Sequence, residues 1–291
     1  MCERVLDAYE KKKGIFSQKD IETRMLPESQ LIDVIEYKER AAKWFFFTTP
    51  GDKLTNSTIY YRQLKEFYLD NPWFFDNKSL ENERIFNTHL NNEFLSKVKV
   101  AAPSGFGEFT VTNAQRLLSD FGGNPLNALT SDNFKQAVKD LKQFMGYGIG
   151  ESTLYLIFLT RYKIKEIKDL APKVDRHFIK ISAGCKVFEV ENNMYTDKAA
   201  EKLSKLYKKI CDEHKFNAVL LDPTVWIIGH DLCFKNDSGV CRLYCPLDDY
   251  CDRKLPRITR KARLHKKENN KRDQLALPLS FDKGEGDGKV E

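Results

Sequence analysis

The stretch LKQFMGYGIGEST, residues 141–153, decides the fold that this sequence predicts. An amphipathic helix is expected to end in the glycine-rich turn, and an apolar helix to begin directly after it. Gly146, Gly148 and Gly150 permit positive φ angles and leave backbone amides uncovered. Amides at the start of a helix bind anions, so this element suits a DNA phosphate, with Ile149 pointing inward to hold the two helices together. A glycine-capped packing element without a ligand is the alternative interpretation.

A second informative string follows the hairpin. Residues 173–181, KVDRHFIKI, predict another helix with Asp175 near its first turn. Taken alone, an aspartate at this position is most often an N-cap. Lys180, on the same predicted helix, is a candidate for a phosphate contact. His177 is expected to be packed or to face DNA rather than to act as a base.

Four of the seven cysteines, Cys233, Cys241, Cys245 and Cys251, follow one another closely with the spacing C-x7-C-x3-C-x5-C. Two nested disulfides are disfavoured because the chain shows no secretion signal. Structural zinc usually uses two close pairs, and here only Cys241 and Cys245 have that spacing. Four single thiolates on one loop favour a 4Fe-4S cluster, with zinc as the alternative.

The excess positive charge is confined to one block. The net charge of the chain is +6, and residues 253–272 contain ten Lys and Arg side chains against one acidic one. Residues 273–291 are acidic, so residues 1–252 carry no net charge. Phosphate contact by the basic block would make DNA binding depend steeply on salt. A solvated tail or a localisation signal is the alternative.

The remaining patterns predict helices. Ser29 is expected to cap a helix that continues to Phe47, and the polar segment 48–57 to end it. Residues 103–107, PSGFG, are predicted to form a turn. No alternating strand pattern is present, so the predicted class is all-α. Further helices are predicted over residues 58–69, 80–98, 112–121, 131–144, 152–162, 197–214 and 223–231.

Composition excludes several classes of protein. Hydrophobic residues make up 41% of the chain, including 20 Phe and 12 Tyr, which is enough for a substantial core. No apolar run reaches the ~18–20 residues that a membrane span requires. The N-terminus lacks the features of a signal peptide. We therefore expect a monomer without a membrane span, located in the cytoplasm and nucleoid, or in the nucleus of a eukaryote, and not secreted.

Together, the hairpin, the VDRHFIKI string and the cysteine loop resemble the helix-hairpin-helix DNA glycosylase superfamily, in its endonuclease III-like branch. All three motifs occur in the order found there, and the likeness covers about residues 31–253. The resemblance implies two helical subdomains that flank a DNA-binding cleft, with the cysteine loop near the C-terminus. It also implies that Asp175 is the essential carboxylate, and that the four loop cysteines bind an iron–sulfur cluster.

The sequence departs from that branch at several positions. Two of the cysteine gaps are one residue longer than usual, and Glu151 stands where a basic residue is common. Bifunctional members place a lysine at the position of Ser152, and a serine cannot form the Schiff base of lyase chemistry. The resemblance places Ser152 beside the reacting sugar as a polar lining residue. If the protein has lyase activity, Lys142 and Lys173 are the first candidates for the nucleophile that attacks the sugar.

The predicted organisation has three parts. Residues 1–28 form an N-terminal extension, residues 29–252 the glycosylase fold, and residues 253–291 a basic and then acidic tail. Within the fold, residues 58–185 are expected to form the six-helix part with the hairpin. Residues 29–57 and 186–252 are expected to form the cluster-side part.

The predicted function is that of a base-excision-repair DNA glycosylase, acting on double-stranded DNA with a damaged or mismatched base. Ser152 favours a monofunctional enzyme, and a bifunctional glycosylase/AP lyase is the alternative. A non-catalytic DNA-binding protein with a structural metal cluster is the alternative from another class. Segment 48–56 is a candidate wedge for the gap left by a flipped base. Trp44, Phe45 and Tyr60 are expected to be core residues rather than a base pocket.

Overall fold

A computed structural model gives the fold of the chain. The residues that it describes are 1–53, 55–188, 194–195, 197–233, 238–252 and 259–260.

The described chain is mostly helical, which confirms the predicted all-α class. One pair of two-residue parallel strands is also present, β1 (Met194–Tyr195) and β2 (Thr259–Arg260). No described helix is long and apolar enough to cross a membrane. The α-helices in chain order are α1 (Cys2–Glu10), α2 (Ile21–Met25), α3 (Ser29–Ile32), α4 (Lys38–Thr48), α5 (Ser57–Asp70), α6 (Asn77–Leu80), α7 (Glu83–His89), α8 (Leu95–Lys97), α9 (Pro103–Phe121), α10 (Phe134–Leu141), α11 (Ile149–Arg161), α12 (Arg176–Gly184), α13 (Asp197–His214), α14 (Ala218–Ile227) and α15 (Ser238–Tyr244). Shorter 3₁₀ and π turns lie at Gly14–Ser17, Thr49–Asp52, Leu90–Phe94, Pro125–Ala128 and Ile228–Leu232.

Helices α3 to α11 enclose a first core that is rich in aromatic side chains. Trp44 of α4 is fully buried, with its ring centroid 5.0 Å from that of Tyr68 and 4.8 Å from that of Phe75, both edge to face. Such pairs contribute about 0.5–1.5 kcal/mol beyond the burial of their area. Phe45 and Tyr60 are buried in the same core, as predicted, and neither lines the cavity described below.

A second core is formed by α1, α2, α12, α13, α14 and the cysteine region. The ring of Phe178 in α12 packs edge to face on Tyr207 of α13, with centroids 4.6 Å apart. The Tyr207 hydroxyl is also 2.8 Å from Ser182 Oγ. Arg161, at the end of α11, joins the two cores, because it contacts Glu28, donates to the carbonyl of Val219 and lies 3.9 Å from Asp222.

Two of the predicted elements differ from the observed ones. The single helix expected over residues 29–47 is interrupted, with Tyr37 in extended conformation before α4. Because α3 packs on α5 while α4 packs on α11, one straight helix could not make both contacts. The turn expected at residues 103–107 is instead the first part of α9, where Pro103 occupies the first helical position that suits proline.

The two cores also divide the chain differently from the predicted subdomains. Residues 31–47, expected on the cluster side, lie in the first core. Residues 1–26, expected to be an extension, pack into the second core, where α1 contacts α14. The hydrophobic side chains of α1, including the buried Val5 and Leu6, explain this placement. The predicted tail, residues 253–291, lies outside the described residues except for Thr259 and Arg260.

Candidate active site

The hairpin between α10 and α11 turns at Gly146, whose φ is +81°. A Cβ atom at this position would lie 2.9 Å from Cδ2 of Phe109 and 3.2 Å from Cβ of Pro50. Both the backbone angle and the close neighbours therefore require glycine.

Neighbouring side chains fix the hairpin to the first core. Asn113 of α9 accepts a hydrogen bond from the amide of Met145 at 2.8 Å and donates one to its carbonyl at 2.9 Å. The buried Tyr147 hydroxyl donates to the carbonyl of Phe46 at 2.6 Å. The turn is thus held from both α9 and α4, which gives the start of α11 a defined position.

No side chain caps the N-terminus of α11, which begins after Gly148. Ile149 packs against the first core, as predicted. A Cβ at Gly150 would meet no atom within 4 Å, so packing does not require glycine there. This glycine lines the cavity described below and leaves its backbone uncovered. The Glu151 carboxylate accepts one backbone hydrogen bond at this terminus. Without an N-cap side chain among the described residues, the terminus otherwise has the chemistry of an anion site.

Asp175 caps the N-terminus of α12. Its Oδ1 accepts hydrogen bonds from the amides of His177, at 2.8 Å, and Phe178, at 2.9 Å. Its Oδ2 makes no hydrogen bond with the residues that the structure describes. The N-cap interpretation of Asp175 is therefore confirmed, and one carboxylate oxygen remains for another partner.

A cavity of about 450 Å³ lies between the two helix termini. Ligand pockets for small molecules typically measure about 300–1,000 Å³, so its size suits a nucleotide. Residues from four parts of the chain line it: the segment before α5, the start of α11, the segment leading into α12, and the end of α14 with the turn that follows. The lining residues are Thr49, Asp52, Lys53, Thr55, Asn56, Ser57, Gly150, Glu151, Leu154, Lys173, Val174, Asp175, Arg176, His177, Trp226 and His230.

Lys173 is a half-buried cation that lines this cavity. Loss of water around it acts to lower its pKa, but the negative charges of Asp52, Asp175 and Asp222 outweigh that effect and raise it. Lys173 is therefore held as an ammonium ion. Lys142, the other lysine considered from the sequence, is exposed and does not line the cavity.

Lys53 and Glu151 form an ion pair at 2.9 Å on the hairpin side of the cavity. Burial acts to raise the pKa of Glu151, but the hydrogen bond and charge of Lys53 outweigh it and lower the pKa. The negative charge near the start of α11 is thus offset by a lysine from the segment before α5.

Asp52 faces the same cavity from a 3₁₀ turn. Its Oδ1 accepts a hydrogen bond from Ser57 Oγ at 2.6 Å and lies 3.4 Å from Thr55 Oγ1. Burial raises its pKa, although the charge of Lys173 acts in the opposite direction. The segment 48–56, a predicted wedge, therefore forms one side of the cavity, with Leu54 outside the described residues.

Aromatic rings line the opposite side. Trp226 and His230 are stacked, with centroids 4.6 Å apart and an interplanar angle of 18°. The ring of His177 lies 5.8 Å from that of His230. Burial lowers the pKa of His177, which keeps its imidazole neutral at pH 7. A Cβ at Gly229 would approach Cβ of His177 to 2.6 Å, so this glycine permits the close packing of α12 on the turn.

Ser152 is not placed where the resemblance implied. Its side chain is fully buried, its Oγ has no hydrogen-bond partner among the described residues, and it does not line the cavity. The helical turn of α11 presents Glu151 and Leu154 to the cavity instead. Its predicted position as a lining residue is therefore wrong, because the packing of α11 in the first core turns that side chain inward.

Lys180 also has a contact other than the predicted one. Its Nζ donates a hydrogen bond to the carbonyl of Cys233 at 2.9 Å, and it does not line the cavity. A second link between the same regions runs from the amide of Asp252 to the carbonyl of Gly184, at 3.2 Å. Helix α12 therefore connects Asp175, at its start, to the cysteine region at its end.

Two of the four predicted cysteine ligands, Cys233 and Cys245, belong to the second core. Burial raises the pKa of Cys233 to about 12, and the neighbouring thiols of Cys245, Cys251 and Cys241 influence it as well. Cys185, at the end of α12, is a fifth thiol in this region, because the neighbouring Cys251 and burial raise its pKa. None of the seven cysteines, all of which are described, forms a disulfide.

The donor chemistry of these thiols fits a thiolate-bound metal group, because soft metals and iron–sulfur clusters prefer sulfur ligands. Within the parts of the chain that the structure describes, no group of three or more His, Cys, Asp or Glu side chains is arranged to hold a metal ion. Residues 234–237, between the first and second cysteines, are outside those parts.

No family model, curated protein or solved structure matches this chain.

Several residues of the cavity were not identified from the sequence. Asp52, Trp226 and His230 lie far from Asp175 along the chain and belong to no spacing that marks a site. In the sequence, Asp52 is only an acidic residue in a polar segment between two helices. Trp226 and His230 are only two aromatic residues four positions apart in a helical region. The fifth thiol, Cys185, has no signal in the spacing of the loop cysteines.

Proposed function

We propose that this protein is a DNA glycosylase that removes a damaged or mismatched base from double-stranded DNA. The observation that carries the proposal is the placement of Asp175. One of its oxygens is held by two amides of α12, and the side chain faces a nucleotide-sized cavity beside a glycine hairpin. The resemblance in the hairpin and in the string that contains Asp175 supports the same chemistry.

In this proposal, the target nucleotide leaves the duplex and enters the cavity. Cleavage of its N-glycosidic bond develops positive charge on the deoxyribose. The carboxylate of Asp175 stabilises that charge and accepts a proton from the attacking water. Amides near Gly148 and Gly150 bind a phosphate next to the flipped nucleotide. The stacked rings of Trp226 and His230 offer one face to the base.

A bifunctional glycosylase/AP lyase is the second candidate, and the position of Lys173 favours it. This amine lines the cavity with Asp175, whereas Ser152 is buried away from it. Lyase chemistry needs a neutral amine that attacks the sugar. The surrounding acidic groups raise the pKa of Lys173, which disfavours the neutral amine. We therefore assign Lys173 to offsetting the negative charge of those groups, and the protein to the monofunctional class.

Cys233, Cys241, Cys245 and Cys251 would hold a 4Fe-4S cluster, or a zinc ion in the alternative. The bound group would supply structural cross-links to the loop that follows the second core. Lys180 and Gly184 of α12 already contact this region, so the loop would support the helix that begins at Asp175. A brown, iron-containing protein is expected; a colourless, zinc-containing one would contradict the cluster.

Double-stranded DNA is the proposed partner, bound by a monomer. The basic block 253–272, most of which lies outside the described residues, would add phosphate contacts. Deleting it should weaken binding and reduce the salt dependence of the affinity, since each lost phosphate contact lowers that slope by about 0.9. An unchanged slope in fluorescence anisotropy would show that the block is only a solvated tail.

The proposed function is tested by a base-release screen with the purified holoprotein. Duplexes carrying uracil, mismatched thymine, oxidised pyrimidines, mismatched adenine or alkylated purines are incubated with the protein, and the released base is measured by mass spectrometry. Release from at least one duplex is expected. DNA binding without release from any of them would favour the non-catalytic alternative.

The monofunctional assignment has its own test. Borohydride reduction during the reaction should trap little protein on DNA, and Lys173→Gln should not change that amount. Strong trapping that Lys173→Gln abolishes, while the neighbouring Lys53→Gln retains it, would establish the bifunctional alternative.

A further inference from the structure

A second aspartate, Asp52, lines the candidate cavity together with Asp175. Asp52 lies at the end of the 3₁₀ turn Thr49–Asp52, which packs against α4 and α11. Ser57 Oγ donates to its Oδ1 at 2.6 Å, and Ser57 itself begins α5. Its Oδ2 makes no hydrogen bond with the residues that the structure describes. The arrangement orients one oxygen and leaves the other for a partner in the cavity.

The charges around Asp52 differ from those around Asp175. Lys173 lies near both carboxyl groups. Asp52 is also close to Asp175 itself and to the hydroxyls of Tyr60 and Tyr61, whose pKa values are raised by burial and by its charge. Burial raises the pKa of Asp52, and it outweighs the charge of Lys173 and the hydrogen bonds from Ser57 and Thr55, which act to lower it. Asp52 therefore takes up a proton more readily than an ordinary aspartate.

The carboxyl group of Asp175 is held differently. Two backbone amides of α12 donate to one of its oxygens, whereas hydroxyl groups donate to Asp52. A pair of carboxyl groups with environments of this kind is the general arrangement for an acid and a base that act on one glycosidic bond.

We propose that Asp52 is a second catalytic residue of the site, the acid that protonates the departing base. This inference rests on the proposed glycosylase function and deepens it. As the bond between C1′ and the base nitrogen breaks, its electron pair leaves with the base, and the Asp52 carboxyl gives its proton to the base. Water adds to C1′ and gives its proton to Asp175. Exchange with solvent then restores both groups.

The proposal assigns a substrate class. A base that already carries a positive charge leaves without protonation, whereas an uncharged base is a poor leaving group and needs an acid. The site is therefore built for uncharged bases. Asp52 should matter for these and be nearly dispensable when the leaving group is activated.

The experiment compares two duplexes that differ only in the activation of the target base. The first carries the uncharged base that the holoprotein releases fastest in the screen. The second carries the same base activated chemically, by N7-methylation for a purine or 5-fluorination for a pyrimidine. Single-turnover release is measured for the wild type, Asp52→Asn, Ser57→Ala and the exposed control Asp70→Asn.

Asp52→Asn should slow release of the unmodified base by about 100-fold or more. It should slow release of the activated base by less than tenfold. Ser57→Ala, which keeps the carboxyl group but removes its 2.6 Å hydrogen bond, should show the same selectivity with a smaller loss. Asp70→Asn should match the wild type on both duplexes, because its side chain is exposed and does not line the cavity.

Equal losses on both duplexes would show that Asp52 has only a structural role, and no loss on either would remove it from the mechanism. If Asp52→Asn does not fold, the selectivity of Ser57→Ala decides between the same outcomes. Release of positively charged bases alone by the wild type would overturn the assigned substrate class. No release of any base by the wild type would overturn the proposed function itself, and the role of Asp52 with it.

Discussion

Two helix N-termini face one cavity, and they are built differently. Helix α11 begins after Gly148 without a side-chain cap. Helix α12 begins after Asp175, whose carboxylate accepts from two of its first amides. An open terminus keeps its amides for an external anion, whereas a capped terminus satisfies them internally and presents a fixed carboxylate. Under the proposed function, the open terminus would bind a DNA phosphate and the capped terminus would carry the chemistry, with Lys173 near the second.

The largest expected effect on stability comes from the turn that precedes the open terminus. Gly146→Ala should lower the free energy of unfolding by about 1–3 kcal/mol, because alanine is strained at a φ of +81° and its Cβ would crowd Phe109. Gly150→Ala is the matched control. Its Cβ meets no atom, so stability should stay the same or rise by up to about 1 kcal/mol. Urea denaturation measures both, and equal losses would contradict the geometry of the turn.

The next largest effect on stability is expected at the capped N-terminus of α12. Asp175→Ala removes the acceptor of two amide hydrogen bonds and should cost about 0.5–2 kcal/mol of stability. Asp175→Asn should keep most of that stability, since asparagine caps helices about as well as aspartate. Thermal unfolding of the two variants checks this. An alanine variant as stable as the asparagine one would mean that the cap contributes little.

A smaller effect is expected from the charge beside the open terminus. Glu151→Gln removes a negative charge near the amides of α11 and releases Lys53 from its 2.9 Å ion pair. Affinity for a DNA duplex should rise severalfold at low salt and less at high salt, because screening weakens the effect. Fluorescence anisotropy over a salt series measures it. Lower affinity would show that the pair, rather than the free lysine, positions DNA.

The sequence allowed prediction of the elements that depend on local chemistry. Glycine spacing predicted the hairpin at Gly146, and the position of Asp175 at the start of α12 followed from the capping preference of aspartate. Helix α13 was predicted with its observed bounds, residues 197–214, because its apolar face has a clear helical period. These features need only a few neighbouring residues.

Features that depend on packing between distant segments could not be predicted. The burial of Ser152 depends on which face of α11 meets the first core, and a wholly apolar helix gives no periodic signal for that face. The approach of Asp52 to Lys173 and Asp175 requires the 3₁₀ turn, α11 and α12 to be assembled first. The packing of residues 1–26 into the second core is equally non-local.

The most direct test of the central claim is single-turnover base release by Asp175→Asn, with Asp70→Asn as the control. The asparagine keeps the helix cap and removes the charge, so its melting temperature should stay close to that of the wild type. Base release should fall by about 100-fold or more, the typical loss when a transition-state charge is no longer stabilised. Full activity of a folded Asp175→Asn protein would contradict the assignment of Asp175 and the mechanism built on it.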